Sequence, residues 1–246
     1  MEKVVRISKA LGGLRTKFWF AKVAGSLGQT PTWFWRTIDK SNGDRATWER
    51  YKRGLRDAVP HGGRDRVALV DARYPGFAIY HRIAMWNLLD GAMLTNDEIV
   101  RQIANLDDPV RTIVLAGGYR SPEGDREFDR VCSELEEFPE FRSLACIVLM
   151  LAWADNLHNL GLWNALCGLY RHMIPAFIEQ GGIPFHEEVF DAVDAFARER
   201  ELTKLNVRED RFEDWRHQLP RLKKILEEQE YLRLSYYESM PRILEG

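Results

Sequence analysis

The sequence contains few cysteines and no pattern typical of a disulfide framework or a zinc site. Cys132, Cys146 and Cys167 are far apart, and no CxxC pair occurs among the 246 residues. An odd and sparse set of cysteines is typical of reduced thiols that are mostly buried. We therefore expect no disulfide, no metal site and no cofactor.

Long apolar runs are also missing. The longest one extends from Leu144 to Ala154 and has eleven residues, whereas a membrane-spanning helix needs about twenty. Charges recur every few residues near the N-terminus, so the apolar core of a signal peptide is absent there. This pattern predicts a buried helix at 144–154, no membrane partner and a cytoplasmic location.

Motifs of common enzyme classes are absent as well. The sequence has no GxSxG, no GxGxxG and no GxxxxGK[ST], and HEEVF at His186 lacks the second histidine of a zinc protease because Phe190 stands there. Asp155 and His158 could share a helix face as an acid–base or metal-binding pair, but nothing indicates a third group. We expect a non-enzymatic protein, with Asp155–His158 as the best site for the enzymatic alternative.

Helix signals dominate the chain. Thr95 and Glu98 form a capping box, T-x-x-E, and the apolar stretch 141–177 indicates two packed helices with a break near 159–161. Pro184 is expected to start another amphipathic helix. Arg66–Tyr74 is ambiguous, and no alternating run is long enough for a sheet. The sequence predicts an all-α, multi-helix fold.

Charge is distributed unevenly between the two parts of the chain. Residues 1–90 contain 17 Lys/Arg against 8 Asp/Glu, and residues 91–246 contain 18 Lys/Arg against 29 Asp/Glu. We therefore expect a basic helical region at 1–91 and an acidic helical domain at 92–246. Such asymmetry indicates a polyanionic partner, either nucleic acid or an acidic protein surface. Mutual attraction of the two parts, or simple solvation of the charges, is the alternative.

The acidic part has one further candidate for an interaction. The segment Leu222–Tyr236 is amphipathic, with apolar residues at helical spacing. It is either a helix that closes the core or a helix that mediates self-association or partner binding. The acidic domain is therefore a candidate for homo-oligomer formation.

Residues 22–38, KVAGSLGQTPTWFWRTI, have the spacing of two short helices joined by a tight turn. Gly28 is expected to end the first helix in a left-handed conformation, and Thr30 is expected to cap the second, with Pro31 at its first position. Val23 and Phe34 would face the interior. This order of residues resembles the helix-turn-helix of bacterial transcription regulators.

The resemblance implies a set of groove contacts. It places Thr32, Arg36 and Lys40, with Thr30 at the cap, on or near the exposed face of the second helix. Trp33 and Trp35 would lie there too. They depart from the family pattern, because bulky aromatic residues are unusual on a helix that enters a groove.

A second register competes with the first. WERYKRGLRDAVP, residues 48–60, resembles the end of the recognition helix in lambda-repressor-like domains, although Glu49 and Gly54 are further apart than in that pattern. This resemblance makes four cations the contact candidates, and Arg56 continues the same side. They are Arg45, Arg50, Lys52 and Arg53. The sequence leaves both registers open.

The same stretch can be tested as a helix. Asp44 would cap it, and Trp48, Tyr51, Leu55 and Val59 would form one apolar stripe. Those aromatics are then expected in the core rather than stacked on bases. Glu49 precedes Arg53 by four residues, so an ion pair is expected to neutralise part of the positive charge.

These observations together predict a regulator-like protein that binds nucleic acid, with DNA as the expected partner. The phosphate backbone would meet the basic face of the N-terminal helical region. The alternative is an adaptor or a subunit of a larger assembly. In that case the basic aromatic face docks an acidic partner, and its tryptophans anchor the contact.

Overall fold

The fold is entirely helical in the part of the chain that the structure describes. The computed structural model describes residues 2–39, 44–59, 64–106, 125–180 and 182–205, and no strand occurs in these ranges. The predicted all-α class is confirmed. The amphipathic segment Leu222–Tyr236 lies outside the described residues.

The described ranges contain eleven helices, numbered here in chain order. They are α1 (Glu2–Leu27), α2 (Pro31–Ile38), α3 (Arg45–Lys52), α4 (Arg66–Arg73), α5 (Ile79–Arg82), α6 (Met85–Leu89), α7 (Asn96–Ala104), α8 (Asp125–Glu136), α9 (Phe141–Asn156), α10 (Leu160–Glu179) and α11 (His186–Leu205).

Side-chain caps set where several of these helices begin. Thr30, Asp44, Asp65 and Thr95 each accept a hydrogen bond from a backbone N–H in the first turn of the following helix. The capping box between Thr95 and Glu98 is complete, as predicted. Asp65 caps the segment whose secondary structure the sequence left ambiguous, and residues 66–73 form helix α4.

Helix α9 lies at the centre of the larger apolar cluster. Every residue from Ser143 to Ala152 is buried, so the longest apolar run is an internal helix, as expected. The break after it falls at 157–159, and α10 packs against α9. Burial raises the pKa of the Cys146 thiol to about 12. Within the described ranges, no helix has both the length and the hydropathy needed to cross a membrane.

A second cluster, called here the N-terminal cluster, is smaller and rich in aromatic rings. Its buried members are Trp19, Phe20, Val23, Phe34, Trp48, Tyr51, Ala58, Val67 and Val70. Helix α1 contributes to both clusters, because its earlier residues Leu11, Leu14 and Phe18 belong to the larger one. The boundary near residue 91 stays a prediction, and α1 supplies buried residues to both clusters.

The backbones of α1 and α3 touch at a pair of glycines. A Cβ atom added to Gly13 would lie 2.5 Å from the Gly54 carbonyl oxygen, and one added to Gly54 would lie 2.6 Å from that of Gly13. Both distances are far below van der Waals contact, and the atoms met are backbone. Only glycine at both positions lets the end of α3 lie this close to α1.

Gly54 also ends α3. Its φ is +67°, its N–H bonds to the Tyr51 carbonyl at 3.0 Å, and the Leu55 N–H bonds to the Arg50 carbonyl at 2.9 Å. This is a Schellman motif, which turns the chain away from the helix axis. The predicted stripe is therefore wrong in its second half: Leu55 is 69% exposed and Val59 36% exposed, whereas Trp48 and Tyr51 are fully buried.

The glycine contact gives a matched pair of substitutions. Gly13→Ala should lower the free energy of unfolding by about 1–3 kcal/mol, because the added methyl group forces two backbones apart. Gly12→Ala adds the same methyl group one residue earlier, where nothing lies within 4 Å. It should raise stability by about 0.5–1 kcal/mol through helix propensity. Urea denaturation of both variants measures the difference, and equal stabilities would contradict the contact.

Candidate nucleic-acid interface

Helix α3 has one buried face and one exposed basic face. Thr47, Trp48 and Tyr51 are buried. The Trp48 ring stacks on Phe34 at 5.3 Å between centroids and meets Tyr51 edge-on at 5.5 Å. These contacts fix the rotation of the helix about its axis. The exposed face, with the turn that follows, is called here the α3 basic face, and its cations are Arg45, Arg50, Lys52, Arg53 and Arg56.

An open concavity of about 550 Å³ lies on this face. Three arginines, Arg45, Arg50 and Arg53, line it together with Ala46, Glu49 and Leu55. All six residues come from α3 and the turn after it, so a single rigid element builds the surface. We call it the arginine concavity.

The cations of the α3 basic face have no partner within the described residues. Arg36 on α2 is in the same state, since it is exposed and forms neither an ion pair nor a side-chain hydrogen bond there. The ion pair predicted between Glu49 and Arg53 is absent from the described structure. That prediction was wrong, because helical spacing allows the pair but does not force it at an exposed site.

The other described cations between residues 11 and 82 are engaged. Most of them contact a carboxylate, and the rest donate to a backbone carbonyl. They are Arg15 with Asp57, Lys17 with Glu188, Lys22 with the Gly182 carbonyl, Arg64 and Arg66 with Asp39, Arg73 with the Thr37 carbonyl, and Arg82 with Asp65. The structure thus separates cations that hold the fold from cations that face solvent unneutralised.

Of the contacts that the first register predicts on α2, one described residue is a cation. The Thr30 hydroxyl accepts from the Trp33 N–H at 3.4 Å and Thr32 is half-buried, which leaves Arg36 as the exposed cation. Trp33 and Trp35 are both half-buried against the N-terminal cluster. Lys40 lies outside the described residues.

The turn between α1 and α2 has the predicted local geometry. Gly28 has a φ of +63°, Thr30 caps α2, and Pro31 is its first residue. Val23 and Phe34 are fully buried, as the spacing indicated. The assignment of this unit to the helix-turn-helix class stays a prediction.

A buried carboxylate ties α2 to α4 beside the basic face. Asp39 is fully buried, and its two oxygens accept from the Arg66 Nε at 2.8 Å and the Arg64 Nη1 at 3.2 Å. The Arg66 guanidinium lies 5.9 Å from the centre of the Tyr51 ring. Burial raises the pKa of the Tyr51 hydroxyl, and the charge of Arg66 opposes this effect. The Tyr51 hydroxyl therefore stays uncharged at neutral pH on the buried face of α3.

A cluster of polar side chains around Asp57 holds the segment that follows α3. The buried His81 on α5 places its Nε2 3.4 Å from Asp57 Oδ1 and 3.5 Å from Thr16 Oγ1, and Arg15 donates to Asp57 Oδ2 at 3.0 Å. Burial lowers the pKa of His81, although Asp57 partly offsets this effect. Burial alone would raise the pKa of Asp57, but hydrogen bonds from His81 and from the Val59 N–H, with the Arg15 charge, lower it to about 2.

The enzymatic candidates do not form a site within the described residues. The Asp155 carboxylate accepts from Arg200 at 2.6 Å, while His158 is exposed, has a φ of +52°, and its ring has no partner there. No three metal-binding side chains of the described residues lie together. None of the family models, curated proteins or solved structures compared with this chain matches it.

Three residues of the concavity, Ala46, Glu49 and Leu55, are not among the sequence-predicted contacts. Glu49 was expected to neutralise Arg53, and Leu55 was expected in the core. The signal for Leu55 was present in the sequence, because Gly54 is a typical residue for ending a helix. No signal indicated that Glu49 would stay unpaired.

The His81 environment predicts how stability changes with pH. Its pKa in the folded protein is below the unfolded value of about 6.5, so the unfolded state binds the proton more tightly. This contribution to stability is complete above pH 6.5 and is lost as the pH falls through that value. Asp57 adds a similar loss only below about pH 4.

The melting temperature should therefore fall between pH 7.5 and pH 5.5. In His81→Gln, which cannot take up the proton, the fall should be smaller. His158→Gln is the control, since that ring is exposed and has no partner among the described residues, and it should keep the wild-type change. A His81→Gln variant with the full wild-type change would exclude this explanation.

Proposed function

We propose that the protein binds nucleic acid without catalysis, through the α3 basic face, as a regulator-like protein. One observation carries the proposal. The cations of this face and Arg36 are exposed and unneutralised, whereas the other described cations of residues 11–82 are engaged within the fold. This is a local excess of positive charge on one surface, and the overall charge of −2 conceals it.

Electrostatics explains why such a surface suits a phosphate backbone. Each exposed cation that meets a phosphate releases condensed counterions, and this release drives binding at low salt. Guanidinium groups can bind phosphate oxygens through two parallel hydrogen bonds. Because α3 packs through its buried face and through the Gly13–Gly54 contact, the backbone that carries the arginines is already in place before binding.

The burial of the aromatic residues weighs against the acidic-protein alternative. That alternative needs exposed aromatic side chains as anchors. Trp48 is fully buried, and Trp33 and Trp35 are half-buried on the N-terminal cluster. Charge therefore supplies most of what the surface offers, which favours a partner with regularly spaced phosphates.

The burial of the α2 aromatics supports a choice between the two registers. The end of α1 at Gly28 and the cap at Thr30 fit a helix-turn-helix arrangement in which α2 would be the recognition helix. In our proposal α2 is the supporting helix, because its aromatics pack inward, and α3 faces the ligand. Arg36 then supplies a backbone contact beside α3.

A salt series tests the proposal. We expect the protein to bind a 20-base-pair duplex with an affinity that falls steeply as salt rises. The double variant Lys52→Ala/Arg56→Ala should bind more weakly, and the slope of log K against log salt should decrease in magnitude by about 2. Fluorescence anisotropy of a labelled duplex measures both quantities.

The matched control removes two charges elsewhere. Arg101 and Arg198 are exposed on α7 and α11, and Arg101→Ala/Arg198→Ala should leave the slope unchanged. If the two double variants lose affinity for the duplex equally, binding depends only on the net charge of the protein. Absence of binding to duplex and to single strands at low salt would refute the proposal. Displacement of the duplex by an equal charge concentration of poly-glutamate would favour the acidic-protein alternative instead.

A further inference from the structure

Glu49 stands out within the arginine concavity. It lies four residues from both Arg45 and Arg53, yet it forms no ion pair with either of them in the described structure. The concavity therefore contains an acceptor group that the fold does not use. For a surface that binds only phosphates, a carboxylate at this position is unfavourable, because it repels the ligand at close range.

The chemistry of base edges gives this carboxylate a partner. In the major groove of duplex DNA, the cytosine amino group can donate a hydrogen bond to a glutamate carboxylate. The paired guanine presents two acceptors, to which an arginine can donate. A G·C pair thus matches a glutamate flanked by arginines at helical spacing. The major groove of duplex RNA is too narrow and deep for such contacts.

The burial of the aromatic residues of α3 also favours duplex over single-stranded nucleic acid as the ligand. Proteins that bind single strands commonly stack bases on exposed aromatic rings. On α3 the rings of Trp48 and Tyr51 are fully buried, so this helix offers no stacking surface. The exposed groups are hydrogen-bonding side chains on a rigid helix, which suits bases that stay paired.

We propose that Glu49 is a specificity-determining residue that reads cytosine in the major groove of duplex DNA, with Arg45 and Arg53 beside it for guanine. This inference rests on the proposed function, since it needs α3 to face nucleic acid. Lys52 and Arg56, which do not line the concavity, then contact the phosphates on the flanks. Affinity and specificity are thereby divided between different residues of one surface.

The experiment compares two duplexes at one salt concentration. Wild-type protein should bind a 20-base-pair duplex of G·C pairs about 5- to 150-fold more tightly than one of A·T pairs, the range expected for a good base contact. In Glu49→Ala this ratio should fall toward one. Glu199→Ala removes the same charge from an exposed site on α11 and should keep the wild-type ratio.

The possible outcomes separate the two proposals. If the protein binds both duplexes equally and with steep salt dependence, the role of Glu49 is refuted while nucleic-acid binding stands. If Glu49→Ala tightens binding to both duplexes by the same factor, the carboxylate only repels phosphates, and the inference also fails. Tighter binding of a single strand than of the duplex would overturn the choice of duplex. If nothing binds, the proposed function itself is refuted. Far-ultraviolet circular dichroism verifies that each variant keeps its helix content.

Discussion

The position of α3 depends on the contact between the backbones of Gly13 and Gly54. Because no side chain separates them, α3 lies directly against α1, and the Trp48 and Tyr51 rings are fully buried in the N-terminal cluster. Two polar groups hold the flanks. The Asp39 carboxylate binds Arg64 and Arg66 on one side, and the Asp57 group holds the following segment on the other. The direction of the exposed cations follows from this arrangement.

Charge in this molecule has two separate tasks. Carboxylates buried or half-buried in the first part of the chain, such as Asp39 and Asp57, hold arginines that would otherwise add to the surface charge. Among the described cations of residues 11–82, those that remain lie on α3, on the turn after it and at Arg36 of α2. The surplus counted over residues 1–90 is therefore a poor measure of the binding surface, since many of the cations in that count are engaged within the fold. The local surplus on one helix face is the relevant quantity.

Sequence patterns were sufficient where the structure is decided by near neighbours. The caps at Thr30, Asp44 and Thr95 and the left-handed Gly28 each depend on a few adjacent residues, and all four were predicted. The burial of Trp48 and Tyr51 followed from helical periodicity in the same way.

Contacts between distant residues could not be predicted in this way. The approach of Gly13 to Gly54 joins residues that are far apart in the sequence, and so does the pairing of Asp39 with Arg66. The outward position of Leu55 was missed because the apolar stripe was extended through Gly54, although that glycine ends the helix. The sequence alone also could not show which cations stay unneutralised, because this depends on where each carboxylate lies in the folded chain.

The continuity of α1 has a consequence for how the molecule can be divided. This one helix supplies Leu11, Leu14 and Phe18 to the larger cluster and Trp19, Phe20 and Val23 to the N-terminal cluster. A fragment cut near residue 91 would keep α1 but lose part of the cover over the first three side chains, such as the Phe141 ring against Phe18, and the remaining fragment would have a gap in its interior. The two parts are thus poor candidates for separate expression, and binding studies need a chain that contains both clusters.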